Sequence, residues 1–446
     1  MHTTSSIARR AFGVVLTSLA LAACSDELLD VNNPDVIEPD KLETAQGATT
    51  LYAGALADFA QAHDGSSDGS AVGLFGGVVM TSGLFSDEFR FGGTPPEVRQ
   101  LDLTDVQKEN SFFRTTYLAM HQVREGAERA ARTLDATGDG AADKRKGEMY
   151  AVSGLIVNLL GELFCEGVPI SSTAGGAIEY GTPLSKAEIF ALAAEKFTTA
   201  AAEAAGDPTI TQLAAVGRGR ALLNAGQYAA AAQAVAAVTT AFVYRTNHAD
   251  APLRVQNGMK GFIFDFDYLS VSDAEGTNGL NFATANDPRV VTDHPGPSRF
   301  DGETPHYRLL SYSSFAAPVV VASGVEARLI EAEAALRAND FATWKSKLDA
   351  ARASFGMGPV TDPGDAAGRV DLMFRERAFS LFATGHRVGD LRRMVSQYGR
   401  AANTVYPIGA YHKDNLARGS DRSFVIPASE ENNPNFDSSG CSKTTP

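Results

Sequence analysis

Apolar residues recur at three- and four-residue spacing over most of this chain, which predicts a mainly helical protein. A first helix is expected from about Glu43 to Phe59. It gives way to HDGSSDGSAVG, a Gly/Ser/Asp stretch that reads as a flexible loop. A long helix follows with Val123, Ala127, Ala130 and Leu134 on one face. Another spans about Lys144 to Phe164 and carries Tyr150, Leu155, Leu159 and Leu163. The next is delimited by its own chemistry: Ser185 with Glu188 three residues on makes a capping box behind Pro183. Ile189, Ala193, Phe197 and Ala200 then repeat at helical spacing. Two shorter segments, about Gln212 to Ala225 and Tyr228 to Val238, are separated by a stop at Gly226. A similar pair runs from Ala332 to Arg352, broken at Asn339-Asp340.

In both pairs, small residues stand where antiparallel helices must approach closely, as in LLNAGQYAAAAQAV. The pairs resemble tetratricopeptide hairpins, scattered rather than in tandem. Residues of about 245–320 are different, with prolines, glycines and alternating aromatics (GFIFDFDY) replacing helical periodicity. A long irregular segment is usually functional or disordered, and the aromatic content argues against disorder. The expected fold is therefore a mainly α, tetratricopeptide-like scaffold over about 42–240 and 321–400. It carries a loop-rich, minor-β, ligand-binding insertion over about 245–320.

The N-terminus alters the picture of where this body resides. Arg9 and Arg10 precede an apolar run from Ala11 to Ala23 that is too short to span a bilayer and has the layout of a removable signal peptide. The run ends in Leu21-Ala22-Ala23-Cys24, which resembles a bacterial lipobox. This predicts cleavage after residue 23 and lipidation of Cys24, with 24–41 as a polar tether to a body over 42–446. Two acyl chains on such a cysteine anchor stably where one does not. Ser25, Asp26 and Glu27 behind it resemble a surface-export signal, so the expected location is the outer membrane, facing outward. No later segment reaches eighteen consecutive apolar residues, so membrane attachment is expected through the lipid alone.

Cleavage removes Arg9 and Arg10 from the 39 basic residues and none of the 53 acidic ones, moving the net charge from −14 to −16. Such a body repels phosphate backbones, which disfavours nucleic-acid partners. With Cys24 lipidated, Cys165 and Cys441 are left. An even pair in an oxidising compartment reads as a disulfide, with two free thiols as the alternative.

Several segments together resemble the SusD/RagB family of nutrient-binding outer-membrane lipoproteins. LDVNNPDVI is similar to the family's opening, and YAVSGLIVNLLGELFCEGVPI (150–170) to its long helix and following turn. EIFALAAEKFTTAAAEA and LLNAGQYAAAAQAV resemble its hairpin region, and FVIPASEENNPN its closing strand and Pro-rich end. The most specific piece is RERAFSLFATGHRVGDLRR (375–393), beside the family's ERxxEFxxEGHRxxDLRR. Thr384 stands where a Glu is usual and Val388 where an aromatic is usual. The resemblance implies a non-catalytic protein that captures an oligosaccharide or other nutrient and passes it to a SusC-like TonB-dependent transporter. The rival readings are an envelope scaffold using its hairpins and a glycan-active hydrolase.

Sugar recognition needs flat apolar faces beside amides, carboxylates or guanidinium groups. Two loop clusters supply these residue types. One is Phe85, Asp87, Glu88, Phe89, Arg90 and Phe91 before Gly92-Gly93. The other is Tyr268, Asn278, Asn281, Arg289, Tyr307, Arg308 and Tyr312 in the insertion. Trp344 lies on a hairpin helix and reads as core.

The charges of 375–393 read as a structural salt-bridge network, with Arg387 and Asp390 as i,i+3 neighbours and Gly385 dividing two helices. Asp135, Thr137, Asp139, Gly140 and Asp143 imitate the start of a calcium loop, but the twelfth position is Lys146 where a Glu is required. Histidine spacing offers no zinc motif, and there is no GxSxG or Walker loop, so neither cofactor nor metal is expected.

Overall fold

The computed structural model describes residues 44–66, 76–137 and 142–445. The predicted leader 1–23, the lipidation site Cys24, the tether 24–41 and most of the Gly/Ser/Asp loop lie outside them.

The central helix follows from one unusual run of sequence. From Arg145 to Leu163 only Arg145, Glu148 and Tyr150 escape burial. A helix that is apolar all round must be enclosed by others. This helix (α5) packs against α4 (Ser111–Thr137) on one side and α6 (Lys186–Ala202) on the other. Gly147 and Gly161 make the second contact possible. A Cβ at Gly147 would lie 2.8 Å from the Ala200 carbonyl oxygen, and one at Gly161 2.6 Å from the Phe190 ring.

Before these come α1 (Ala45–Asp64), α2 (Gly77–Phe85) and α3 (Pro96–Asp102). Beyond them α7 (Pro208–Asn224), α8 (Tyr228–Val235), α9 (Gly324–Arg337) and α10 (Phe341–Ala353) continue the hairpins. Then α11 (Ala366–Ser380) and α12 (Arg387–Ser396) close the scaffold. The chain is mainly helical, as expected.

Capping chemistry sets several helix starts. Both bonds of the Ser185/Glu188 capping box are present. Asp207 caps α7, with Pro208 in its first turn, so that helix begins earlier than Gln212. Ser323 caps α9, which places the start of the Ala332–Arg352 pair back at Gly324. Helix α1 runs on to Asp64 rather than stopping at Phe59, because His63 and Asp64 are buried. The Asp64 carboxylate pairs with His248 at 2.9 Å and takes the Thr246 hydroxyl. Trp344 is fully buried at the centre of a second core formed by α9, α10 and α11. Lys146, which spoils the calcium loop, pairs with Asp135 at 2.7 Å and Glu203 at 2.9 Å. Among the described residues no His/Cys/Asp/Glu group could hold a metal ion.

Strands are short and far apart in sequence. Among the described residues there are four two-stranded antiparallel ribbons. They pair β1 (Phe89–Phe91) with β5 (Leu269–Val271), β2 (Val168–Pro169) with β3 (Pro183–Leu184), β4 (Val243–Thr246) with β8 (Val319–Ser323), and β6 (Thr292–Pro297) with β7 (Pro305–Leu309). Phe89, Arg90 and Phe91 stand opposite Val271, Ser270 and Leu269. This pairing ties residues 245–320 to the segment after α2. At the C-terminus, Phe424 makes a lone parallel bridge with Phe164. Cys165 and Cys441 are joined as a disulfide, their Cα atoms 5.0 Å apart.

Candidate functional site

The first predicted ligand cluster proves to be internal. Phe85 ends α2 and packs on Phe424 with ring centroids 4.5 Å apart. Phe89, in β1, packs on Phe382 at 5.3 Å. Both are fully buried and have no face to offer a ligand. Read as an exposed loop, this cluster is instead a helix end and a strand, because β5 covers it from 180 residues away.

Its charges are spent inside. Asp87 accepts two bonds from Arg387, at 2.7 and 3.0 Å, and Arg90 pairs with Glu275 at 2.9 Å. Sequence spacing pairs Arg387 with Asp390. The structure sends Arg387 to Asp87 because Asp390 is taken by Arg377, at 2.8 and 2.9 Å, and by Arg393, at 2.7 Å. Burial acts to raise the Asp390 carboxyl, but Arg377 and Arg393 outweigh it and hold Asp390 well below the usual range. His386 meets Glu162 at 2.7 Å, and Arg392 donates to the carbonyls of Gly161, Glu162 and Phe164. The segment 375–393 is thus a buried salt-bridge network, as its sequence suggested, and it also locks α11 and α12 onto α2 and α5. Gly385, at φ +83°, makes the turn between the two helices.

Glu88 is the odd member. Its carboxyl accepts from the Ala383 N–H at 3.1 Å, and its second oxygen has no partner. Burial pushes it from 4.5 up to about 8. The Ala383 bond and Arg387 pull the other way, while Asp87 and Asp390 add repulsion. A folded carboxyl raised in this way holds a proton that the unfolded chain releases. Its contribution to stability is therefore present at low pH and lost as pH climbs from about 4.5 through about 8. Glu88→Gln is expected to flatten that slope. Urea midpoints of both proteins at pH 6 and pH 9 measure it, and parallel pH dependence would contradict the assignment.

The insertion residues divide. Arg289 is held by Asp287 and Glu376, each at 2.6 Å, and Arg308 pairs with Asp293. Asn278 donates to the carbonyls of Asn403 and Tyr406. Asn281 is half-buried, its backbone carbonyl accepting from the Ala285 N–H. Tyr312 is buried and donates its hydroxyl to the Ala383 carbonyl, while Tyr307 stacks on His294 at 4.5 Å. Arg289 and Tyr312 border a cleft of about 800 Å³ beside β4 and β8.

Tyr268 leads to the surface. Its ring stacks on Phe266 at 5.5 Å and 22°, meets Phe300 edge-on at 4.6 Å, and is backed by Phe91 at 6.0 Å. Phe266 is 39% exposed and Phe300 43%, which leaves ring faces open to solvent. Polar groups edge this platform. Asp267 fixes Arg299, whose side chain is 70% exposed, at 2.6 Å, and Lys413 donates to the Gly93 carbonyl at 2.7 Å. Burial acts to raise Asp267, but the bond from Arg299 and the charge of His306 hold it low, so it stays ionised.

A flat apolar face with a guanidinium and a carboxylate at its edge can stack on the CH face of a pyranose and bond its hydroxyls. Phe266, Phe300 and Arg299 were not among the candidates read from sequence. The aromatic alternation of GFIFDFDY was the available signal, but it did not say which rings face outward.

No family model and no curated protein matches the chain. Solved structures do. A SusD-like carbohydrate binding protein from Bacteroides fragilis NCTC 9343 aligns over 89% of this chain and 99% of its own, with TM-score 0.66 and 16% identity. Surface glycan-binding protein A from Bacteroides uniformis aligns over 88% and 99%, with TM-score 0.66 and 12% identity. A SusD superfamily protein from Bacteroides vulgatus ATCC 8482 aligns over 89% and 100%, with TM-score 0.59 and 16% identity. At such identities the likeness is one of architecture: the chain has the fold of the SusD superfamily.

Proposed function

We propose that this protein is a non-catalytic, lipid-anchored glycan-binding protein of the outer cell surface, which captures an oligosaccharide and passes it to a SusC-like TonB-dependent transporter. The observation that carries the reading is the platform of Phe266, Tyr268 and Phe300, open to solvent and edged by Arg299. Soluble proteins rarely leave adjoining aromatic rings uncovered without a use for them. The names of the similar structures, carbohydrate binding and surface glycan-binding proteins, support the same ligand class. No described helix is long and apolar enough to cross a membrane. Attachment is assigned to Cys24, the last residue of the LAAC motif.

Calorimetry of the chain starting after Cys24 against a panel of neutral oligosaccharides is expected to show binding without turnover. Phe266→Ala should weaken it about tenfold or more, as for a truncated aromatic anchor. Affinity unchanged in both Phe266→Ala and Phe300→Ala, or steady hydrolysis of a bound glycan, would overturn the reading. The anchor is tested separately: Cys24→Ala should abolish labelling by a palmitate analogue and release the protein from membranes, and labelling that persists would refute it.

A further inference from the structure

The cleft beside the β4–β8 ribbon has no part in the platform and shares no residue with it. Its volume, about 800 Å³, is that of a small-molecule site. Val243, Val320, Pro318 and Phe355 supply apolar wall, and Thr240 and Ser311 add hydroxyls. Three charged side chains line it, and two of these are already satisfied. Glu326 takes two bonds from Arg220, both at 2.6 Å, in a buried pair. Arg289 is clasped by Asp287 and Glu376. The third, Arg245 on β4, is exposed and makes no ion pair and no side-chain hydrogen bond among the described residues.

In a chain of net charge −14, an exposed guanidinium at the edge of this cleft has no carboxylate partner among the described residues. A guanidinium presents a planar fork that matches a carboxylate with two parallel bonds. One unmatched positive charge balances one carboxylate, whereas a phosphate monoester, nearly doubly charged, would remain partly uncompensated.

We propose that this cleft is a second ligand site, which binds the carboxylate of an acidic sugar on Arg245 and the body of that sugar against the apolar wall. The proposal rests on the reading of the protein as an oligosaccharide binder, and adds that acidic glycans are held at a place distinct from the platform. The platform would grip any sugar ring with an accessible CH face. The cleft would select for charge.

Calorimetry on the mature chain with trigalacturonate and a glucuronate-ended trisaccharide, each beside its uncharged methyl ester, tests this. At least one acid is expected to bind roughly tenfold or more tighter than its ester, the scale of a charged hydrogen-bonded contact. The preference should weaken with added salt. Arg245→Gln should remove the preference, Arg245→Lys should keep part of it, and Phe266→Ala should leave a preference for the acid in place.

Equal binding of acid and ester, no binding of either, or an undiminished preference in Arg245→Gln would each overturn the proposal. Glucose 6-phosphate is the contrasting anion, and its binding more tightly than the uronates would reassign the cleft to phosphate. Neutral oligosaccharides titrated against the same samples report on the platform. Their binding shows that Arg245→Gln is folded and separates failure of the cleft from failure of the wider reading.

Discussion

Asp390→Ala is expected to destabilise the protein by about 3–5 kcal/mol, the usual cost of removing one partner from a buried ionic network. Asp390 is fully enclosed and is the carboxylate that Arg377 and Arg393 share. Among the described residues Glu333 is the only other acid in reach of both: it pairs closely with Arg393 and lies 3.7 Å from Arg377. Without Asp390, two buried guanidinium groups would share a single carboxylate, itself already bonded to the Tyr398 hydroxyl at 3.0 Å. The loss arises from stranded charge rather than from the missing attraction alone. Replacing Asp390, Arg377, Arg393 and Glu333 together by apolar residues of similar volume should therefore cost less than Asp390→Ala. Urea denaturation of the three proteins decides it. A loss below about 1 kcal/mol for the single variant would show that the network contributes little.

The second large effect is expected at the disulfide. Cys165 and Cys441 are 276 residues apart, so their bond closes most of the folded chain into a loop. On the chain-entropy account a closure of this length stabilises by roughly 5–6 kcal/mol, chiefly by restricting the unfolded state. The double replacement Cys165→Ser, Cys441→Ser should lower the urea midpoint by a corresponding amount.

The fold should survive, since other contacts hold the C-terminal segment. Asn433 donates to the Gly181 carbonyl at 3.0 Å, Lys443 pairs with Asp421 at 3.2 Å, and the Lys443 carbonyl accepts from the Arg422 N–H. Residues near 441 should nonetheless become the first site of protease cleavage, because a polar terminus freed of its tie has little apolar burial to keep it down. In unreduced, denatured protein neither thiol should alkylate. Free labelling of both, or an unchanged midpoint in the double variant, would contradict this account.

What the sequence determined by itself lies within a few turns of helix. The 3.6-residue periodicity marks α4 to α7, the Ser185/Glu188 box fixes the start of α6, and Asn339-Asp340 breaks the α9–α10 hairpin. These are contacts between near neighbours, and near neighbours are adjacent in the string of residues. Two cysteines left beside Cys24 sufficed to suggest their pairing, because the count needs no geometry.

The tertiary structure decided everything that depended on which distant segment arrives where. Phe85 and Phe89 carry the same signature as surface aromatics until Phe424 packs on the first and β5 pairs beside the second. Arg387 has an acceptable partner three residues away and yet bonds Asp87, 300 residues back, because Arg377 and Arg393 hold Asp390. The same holds for the site. Phe262, Phe266 and Tyr268 belong to one aromatic run, but Phe262 is buried and Phe266 is not. Arg245 looks like any strand arginine until Glu326 and Arg289, the other charges of its cleft, are seen to be bonded elsewhere. Burial and charge compensation are properties of surroundings assembled from remote parts of the chain, and no local pattern encodes them.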